Sequence, residues 1–211
     1  MTGKAQLIAL MGLPGCGKST FARLLEQRLG ITVFREPEEE LWPGAVKRHL
    51  VEGHSAASTI LFFRSVRVEQ LLQATDLVQA GQTAAVDSYY DKLLIGYIDD
   101  PAMRWFLDPA DESLPDIRRT AASDYRLLPD ADIVIFFSLT EARWRLHLGR
   151  RGRGMDDQHA FLGSFALQDA MLRSVEQWAA KKQRLLIPLR YDESMHDDVD
   201  GVLTTIQNRI R

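Results

Sequence analysis

Between residues 12 and 20 the chain reads Gly12-Leu13-Pro14-Gly15-Cys16-Gly17-Lys18-Ser19-Thr20, and its first eight residues fit the pattern G-x-x-x-x-G-K-[ST] in full. Glycines at these places let backbone N–H groups turn inward toward an oxyanion, and a helix opening just after them adds the positive end of its dipole. A lysine at this point of such a loop reaches the β- and γ-phosphates of a nucleoside triphosphate, and the following hydroxyl ligates Mg²⁺. The segment therefore reads as a P-loop for ATP with Mg²⁺, with Gly12, Gly15, Cys16, Gly17, Lys18, Ser19 and Thr20 as contacts. Cys16 has two readings: a thiol acidified at a helix N-terminus, or, the preferred one, a small residue that packs in the loop.

Other residues could complete a phosphate chemistry. Asp87 closes a short apolar run, where a carboxylate can hold Mg²⁺ through its water; the alternative is a turn aspartate capping a helix over Tyr89 to Tyr97. Arg150, Arg151 and Arg153, punctuated by Gly152 and Gly154, read as a cationic lid at about 149–157 that closes on phosphate and excludes water; a solvated basic turn is the bland reading. Phe62 and Phe63 are adjacent on a predicted helix and cannot face the same way, so one packs and the other lines a pocket. Arg67 lies one turn beyond Phe63, where it meets a phosphate or Glu36, or forms a surface pair with Glu69 or Glu38. Glu36 leads an acidic run with Glu38, Glu39 and Glu40; it is either a base for a hydroxyl acceptor or an orienting partner of Arg67 or Arg35.

The elements that must position these groups are legible from periodicity. Leu7 to Met11 is a continuous apolar run, the mark of a strand buried on both faces. Ser19 to Leu29 follows with helical spacing of Phe21, Leu24, Leu25 and Leu29, and Gly30 stops it. Ile31–Phe34, Thr83–Val86, Ile133–Phe137 and Arg184–Pro188 read as further strands, and 57–80 as a long helix ended by Gly81. Strands alternating with helices predict a parallel sheet covered on both faces, with the ligand crevice outside the carboxyl ends of the strands. The segments after Met11, Phe34, Val86 and Phe137 converge there.

In this order the motifs resemble the thymidylate kinases and their relatives the deoxynucleoside kinases, over nearly the whole chain. Arg35-Glu36-Pro37 is similar to the Arg-Glu-Pro of bacterial thymidylate kinases, and Glu36-Pro37 with Trp42 to the Glu-Pro and Trp of deoxynucleoside kinases. Phe63 and Arg67 match the helix in which a Phe stacks on the acceptor base and an Arg holds the acceptor. Asp87-Ser88-Tyr89 stands where the two families have Asp-Arg-Tyr and Glu-Arg-Ser, and Arg145 to Arg153 resembles the lid over ATP. The resemblance implies an α/β three-layer P-loop fold with a five-stranded parallel sheet in the order 2-3-1-4-5. It implies catalytic roles for Lys18, Glu36, Asp87, Arg151 and Arg153, ATP contacts at Arg145 and Arg150, and acceptor contacts at Arg35, Trp42, Phe63, Arg67, Ser88 and Tyr89. Ser19 and Asp87, the latter through water, would hold the metal.

The implied reaction is transfer of the γ-phosphoryl of ATP to a nucleoside 5′-monophosphate, a deoxypyrimidine one first. A deoxynucleoside kinase with Glu36 as general base is the alternative. Two departures widen the field: Ser88 replaces an arginine that contacts the phosphoryl group, for which Arg64, Arg104 or a lid arginine could substitute, and Met11 replaces a glutamate before the loop. A modified nucleotide, a nucleic-acid end, or a nucleotide-binding module without transfer therefore also remain as readings.

Bulk properties exclude other classes. At 211 residues the chain supports one buried α/β core, read as a single domain over 1–211. A net charge of -3 gives no global field for duplex nucleic acid, although five arginines crowd residues 143–153. One cysteine permits no intrachain disulfide, and no apolar run approaches membrane-span length, so a cytoplasmic setting is expected. The related enzymes are dimers as a rule, and helix 57–80 has the apolar length for an interface.

Overall fold

The computed structural model describes residues 4–52, 56–151, 159–191 and 195–210. The first apolar run forms β1 (Leu7–Gly12), buried along its whole length. The P-loop follows, then α1 (Lys18–Leu29), whose end is turned by Gly30 in the left-handed region. β2 (Thr32–Phe34) leads to α2 (Gly44–Glu52) and the long α3 (Ala56–Gln79), and β3 (Ala84–Val86) ends just before Asp87. The helix expected over Tyr89 to Tyr97 is only a single turn, α4 (Tyr90–Leu93), continued as a 3₁₀ turn at Leu94–Gly96. α5 (Leu114–Leu127), β4 (Ile133–Leu139), α6 (Glu141–Arg151), α7 (His159–Leu162), α8 (Leu167–Lys182), β5 (Leu185–Tyr191) and α9 (Met195–Ile210) complete the order.

The five strands are parallel and lie in the order β2-β3-β1-β4-β5, as expected. Register explains why the active segments meet. Phe34 pairs with Val86 and Val86 with Ala9, so Arg35, Asp87 and the loop after Gly12 leave the same edge of the sheet. The Asp87 amide donates to Phe34 O at 2.9 Å and extends that edge by one bond. At the opposite edge Asp132 is a clip: it accepts from the Leu7 amide at 3.0 Å and from Arg184 at 2.7 Å, tying β1 and β5 to the start of β4.

Packing holds the loop from outside. Trp144 on α6 is fully buried, and its indole N–H donates to Pro14 O at 2.8 Å. Its ring lies 5.5 Å from Phe161 and 5.6 Å from Phe165, so α6 is wedged between the loop and the segment before α8. Phe21 of α1 meets Phe137 of β4 edge-on at 5.5 Å beneath the loop. Arg64 of α3 grips Asp124 of α5 with two bonds of 2.6 Å, a fork geometry that fixes both helices.

Gly12 pairs with Phe137 and has φ +147°. A Cβ there would stand 2.7 Å from Phe137 O, which is backbone and cannot move aside. Gly12→Ala is expected to lower stability by about 2–4 kcal/mol. Urea unfolding checks this, and a midpoint equal to that of the parent protein would contradict the geometry.

Candidate active site

Carboxyl-end segments enclose a cleft of about 680 Å³, within the usual range for a small-ligand site. At one end lies the P-loop. Gly15 and Gly17 have φ of +80° and +100°, values that turn successive amides toward the space in front of Lys18. At Gly15 a Cβ would strike Leu148 of α6 at 2.6 Å, so this glycine also lets α6 approach.

Lys18 is buried, and its ammonium donates to Gly12 O at 3.0 Å, Leu13 O at 3.1 Å and Tyr90 Oη at 2.8 Å. Burial opposes the charge, but the neighbouring Cys16, Tyr90 and Asp87 groups outweigh it and raise the pKa. The Cys16 thiol is buried and its pKa is raised, burial being the largest cause. It packs 2.9 Å from where a Gly12 Cβ would stand, which favours the packing reading over the reactive one.

Ser19 Oγ donates to Asp87 Oδ2 at 3.1 Å, so the two expected metal-holding residues are brought together. Asp87 Oδ1 is buried with no hydrogen-bond partner, an orphan acceptor of the kind a hydrated cation satisfies. No cluster of three or more His, Cys, Asp or Glu side chains occurs among the described residues. Two protein oxygens beside a phosphate cradle suit Mg²⁺, which keeps several waters and binds largely through its nucleotide. The residues present thus fit the ion.

α6 supplies the cationic wall. Arg143, His147, Arg150 and Arg151 line the cleft, and Arg151 Nη1 would be 3.8 Å from a Cβ at Gly15. His147 Nδ1 lies 3.3 Å from Gly15 O, and its pKa is lowered, by burial first and then by Arg143 and Arg150 despite the Gly15 contact. Arg145, expected to bind ATP, faces outward and pairs with Glu141 at 2.6 Å. The reason is helical spacing: 143, 147, 150 and 151 share a face, whereas 145 is two residues from 143. Arg153 and most of the expected lid lie outside the described residues.

The other end is aromatic and acidic. Phe63 lines the cleft and meets Trp42 edge-on at 5.1 Å, while Phe62 packs beside it outside the lining. Arg67 is committed to two carboxylates: Nη1 donates to Glu36 at 3.1 Å, and Nε and Nη2 to Asp91 at 2.7 and 3.2 Å. Its guanidinium also lies 5.4 Å from the Phe63 ring and 5.3 Å from the Tyr90 ring. Arg35 lines the cleft and is paired with Glu26.

Two expected acceptor contacts are not in the cleft. Tyr89 is a core residue whose hydroxyl donates to Pro129 O and accepts from the Ala131 amide, both at 2.9 Å. Ser88 is buried beside a separate void of about 10 Å³ and does not line the cleft. Neither Arg64 nor Arg104 lines it either. Tyr90 and Asp91 do, and neither was picked out from the sequence. Their signal was position, on the turn that follows the Asp87 strand end, where the carboxyl-end segments converge.

No family model matches the sequence, and no curated protein matches it. The fold does have clear counterparts, and they are P-loop kinases of nucleosides and nucleotides. One is deoxyadenosine kinase from M. mycoides with bound dATP, at a TM-score of 0.70 and 17% identity, covering 95% of this chain and 98% of that one. Another is thymidylate kinase from Candida albicans, at 0.62 and 21%, covering 99% and 92%. Thymidylate kinase from Ehrlichia chaffeensis follows at 0.54 and 17%, covering 98% and 99%. At such identities the shared property is the fold, and activity has to be argued from the site.

Among the described residues no helix is long and apolar enough to cross a membrane.

Burial pushes the Asp87 carboxyl up to about 6, against the pull of Lys18 and with Glu36 adding to the rise. The folded state then binds the proton that the unfolded state has already lost between about pH 4 and 6, so stability falls as pH rises through that window. Compared with Asp87→Asn, the parent protein should lose on the order of 2 kcal/mol between pH 4 and pH 7, read by urea unfolding. Its affinity for Mg²⁺·ATP should fall as pH drops below about 6, because protonated Asp87 no longer serves the cation. A parallel stability profile in the two proteins would refute the assignment.

Proposed function

We propose that this chain is an ATP-dependent kinase that phosphorylates the 5′-hydroxyl of a nucleoside, a deoxynucleoside by resemblance. Its setting is the cytoplasm and its catalytic unit the single domain 1–211. The observation that carries this reading is the charge state of the acceptor end. Arg67, the cation expected to hold an acceptor phosphate, has all three of its guanidinium nitrogens engaged by Glu36 and Asp91. Glu36 and Asp91 outnumber the Arg67 they hold, and Arg35 beside them is matched by Glu26, so this end repels a dianionic monophosphate, whereas a neutral hydroxyl meets no such penalty. Of the two acceptors the sequence leaves, the monophosphate expected first fits this geometry less well. The structural likeness to deoxyadenosine kinase, at a TM-score of 0.70, agrees with the nucleoside choice without deciding it.

The chemistry follows from the residues. The nucleoside base enters between Phe63, Trp42 and the aromatic floor at Trp105 and Phe106. Glu36, oriented by Arg67 at 3.1 Å, takes the proton of the 5′-hydroxyl. The 5′-oxygen bonds to the γ-phosphorus, and the bond to the β–γ bridging oxygen breaks with its electron pair leaving on ADP. Lys18 and the α6 cations Arg143, Arg150 and Arg151 face the charge of the transferred group. Ser19 and, through water, Asp87 would hold Mg²⁺, which would supply neutralisation of phosphate charge when bound with ATP.

The test is ADP release from Mg²⁺·ATP against a matched panel of nucleosides and their 5′-monophosphates. Turnover with nucleosides is expected, and turnover confined to monophosphates would overturn the acceptor assignment. Silence across the panel with ATP still bound would instead favour a module without transfer activity.

Two variants separate the roles. Lys18→Ala should abolish Mg²⁺·ATP binding by calorimetry. Glu36→Gln should lower kcat by roughly 10²–10⁴-fold with the nucleoside KM little changed, as removal of a base requires; a change confined to KM would make Glu36 an orienting residue only.

A further inference from the structure

Lys18 and the α6 arginines are the cations that face the transferred group, and a neutral donor aimed at its developing charge would add to them. Ser88 does not line the cleft, and its buried hydroxyl has no hydrogen-bond partner. Arg67 is turned to Glu36 and Asp91, which take one N–H from each of its three nitrogens. Tyr90 lines the cleft beside Lys18. Its hydroxyl is 2.8 Å from Lys18 Nζ, the group that reaches the β- and γ-phosphates, and its ring lies 5.3 Å from the Arg67 guanidinium that orients Glu36.

We infer that Tyr90 is a catalytic residue of the proposed kinase, its phenol donating a hydrogen bond to the phosphoryl group during transfer. The role rests on the kinase reading above. Without nucleotide the Tyr90 hydroxyl donates to Gly12 O at 2.6 Å and accepts from Lys18, so donor and lysine form one closed network around a loop carbonyl. A γ-phosphate in the loop offers both of them a stronger, charged acceptor. Lys18 turns to the phosphate while keeping a loop carbonyl, and the phenol turns from Gly12 O to the phosphoryl oxygen beside it. No proton is transferred from Tyr90: the hydroxyl proton of the nucleoside goes to Glu36 and the phenol keeps its own. Burial holds that phenol protonated, its pKa pushed up to about 12 against the pull of Lys18, so it remains a donor at neutral pH.

The ring is a separate matter from the hydroxyl, because it packs between Lys18 at 5.3 Å and Arg67 at 5.3 Å. Tyr90→Phe keeps the ring and removes only the donor. Its kcat should fall roughly 100-fold with the nucleoside KM little changed. ATP should bind as tightly or more tightly by calorimetry, since Lys18 loses a resting partner. Trapping of ADP with tetrafluoroaluminate and nucleoside, which mimics the group in flight, should weaken by the same factor as kcat. Ser88→Ala, outside the cleft lining, should turn over like the parent.

Several outcomes would sink the role. Turnover of Tyr90→Phe equal to the parent removes it outright. Loss of ATP affinity in step with turnover makes Tyr90 a ground-state support for Lys18 and removes it equally. A parent protein inert on every acceptor overturns the kinase reading and this role together, whereas an active parent with an equally active Tyr90→Phe overturns this role alone. Unfolding midpoints of both variants show whether a loss comes from instability.

Discussion

An ammonium group buried in a protein must be ringed by oxygen acceptors, and the carboxyl edge of this sheet is organised around that requirement at Lys18. Its partners come from three directions: Gly12 O from the end of β1, Leu13 O from the loop, and Tyr90 Oη from the turn after β3. Each contributor is placed by the sheet. β1 lies between β3 and β4, so the loop and the Asp87 turn start from neighbouring strands. The close approach of β4 to Gly12 tolerates no side chain there, and α6 presses on Gly15 through Leu148. Removing the lysine's charge would leave these carbonyls and the tyrosine to find other donors in a dry place, which is costly.

The same burial divides the cleft into two electrostatic halves. On the loop side, cations from α6 and the lysine outnumber Asp87, and the space favours a polyphosphate. On the other side, Arg67 is held between Glu36 and Asp91 within a wall of aromatic rings. Tyr90 stands at the seam, bonded to the lysine and packed on the arginine.

Much of this was legible in the sequence where the signal was local. The P-loop is contiguous and chemically narrow, so Lys18 and Ser19 needed no tertiary information, and the strand order followed from the resemblance. Positions that depend on the exact turn of a helix were harder. Tyr89 and Tyr90 are indistinguishable by type; the former is locked into the core by Pro129 and Ala131 and the latter faces the cleft. Arg145 lies in a dense run of arginines, and composition alone could not say that its face points to Glu141 and solvent while Arg143 points inward. Asp91 drew no attention as one acidic residue on a short turn, yet with Glu36 it decides the charge of the acceptor end. Long-range pairs such as Arg64 with Asp124, sixty residues apart in sequence, carry no local trace.

The space behind Ser88 limits what position 88 can hold. Besides Ser88 its walls are Arg67, Val68, Leu71, Tyr89, Asp91, Lys92 and Leu128, around about 10 Å³. An arginine at position 88 would need several times that room and would bring a third cation among Arg67 and Lys92, both already matched to their own carboxylates. A larger side chain at position 88 would therefore have to displace the packing between α3 and the turn after β3.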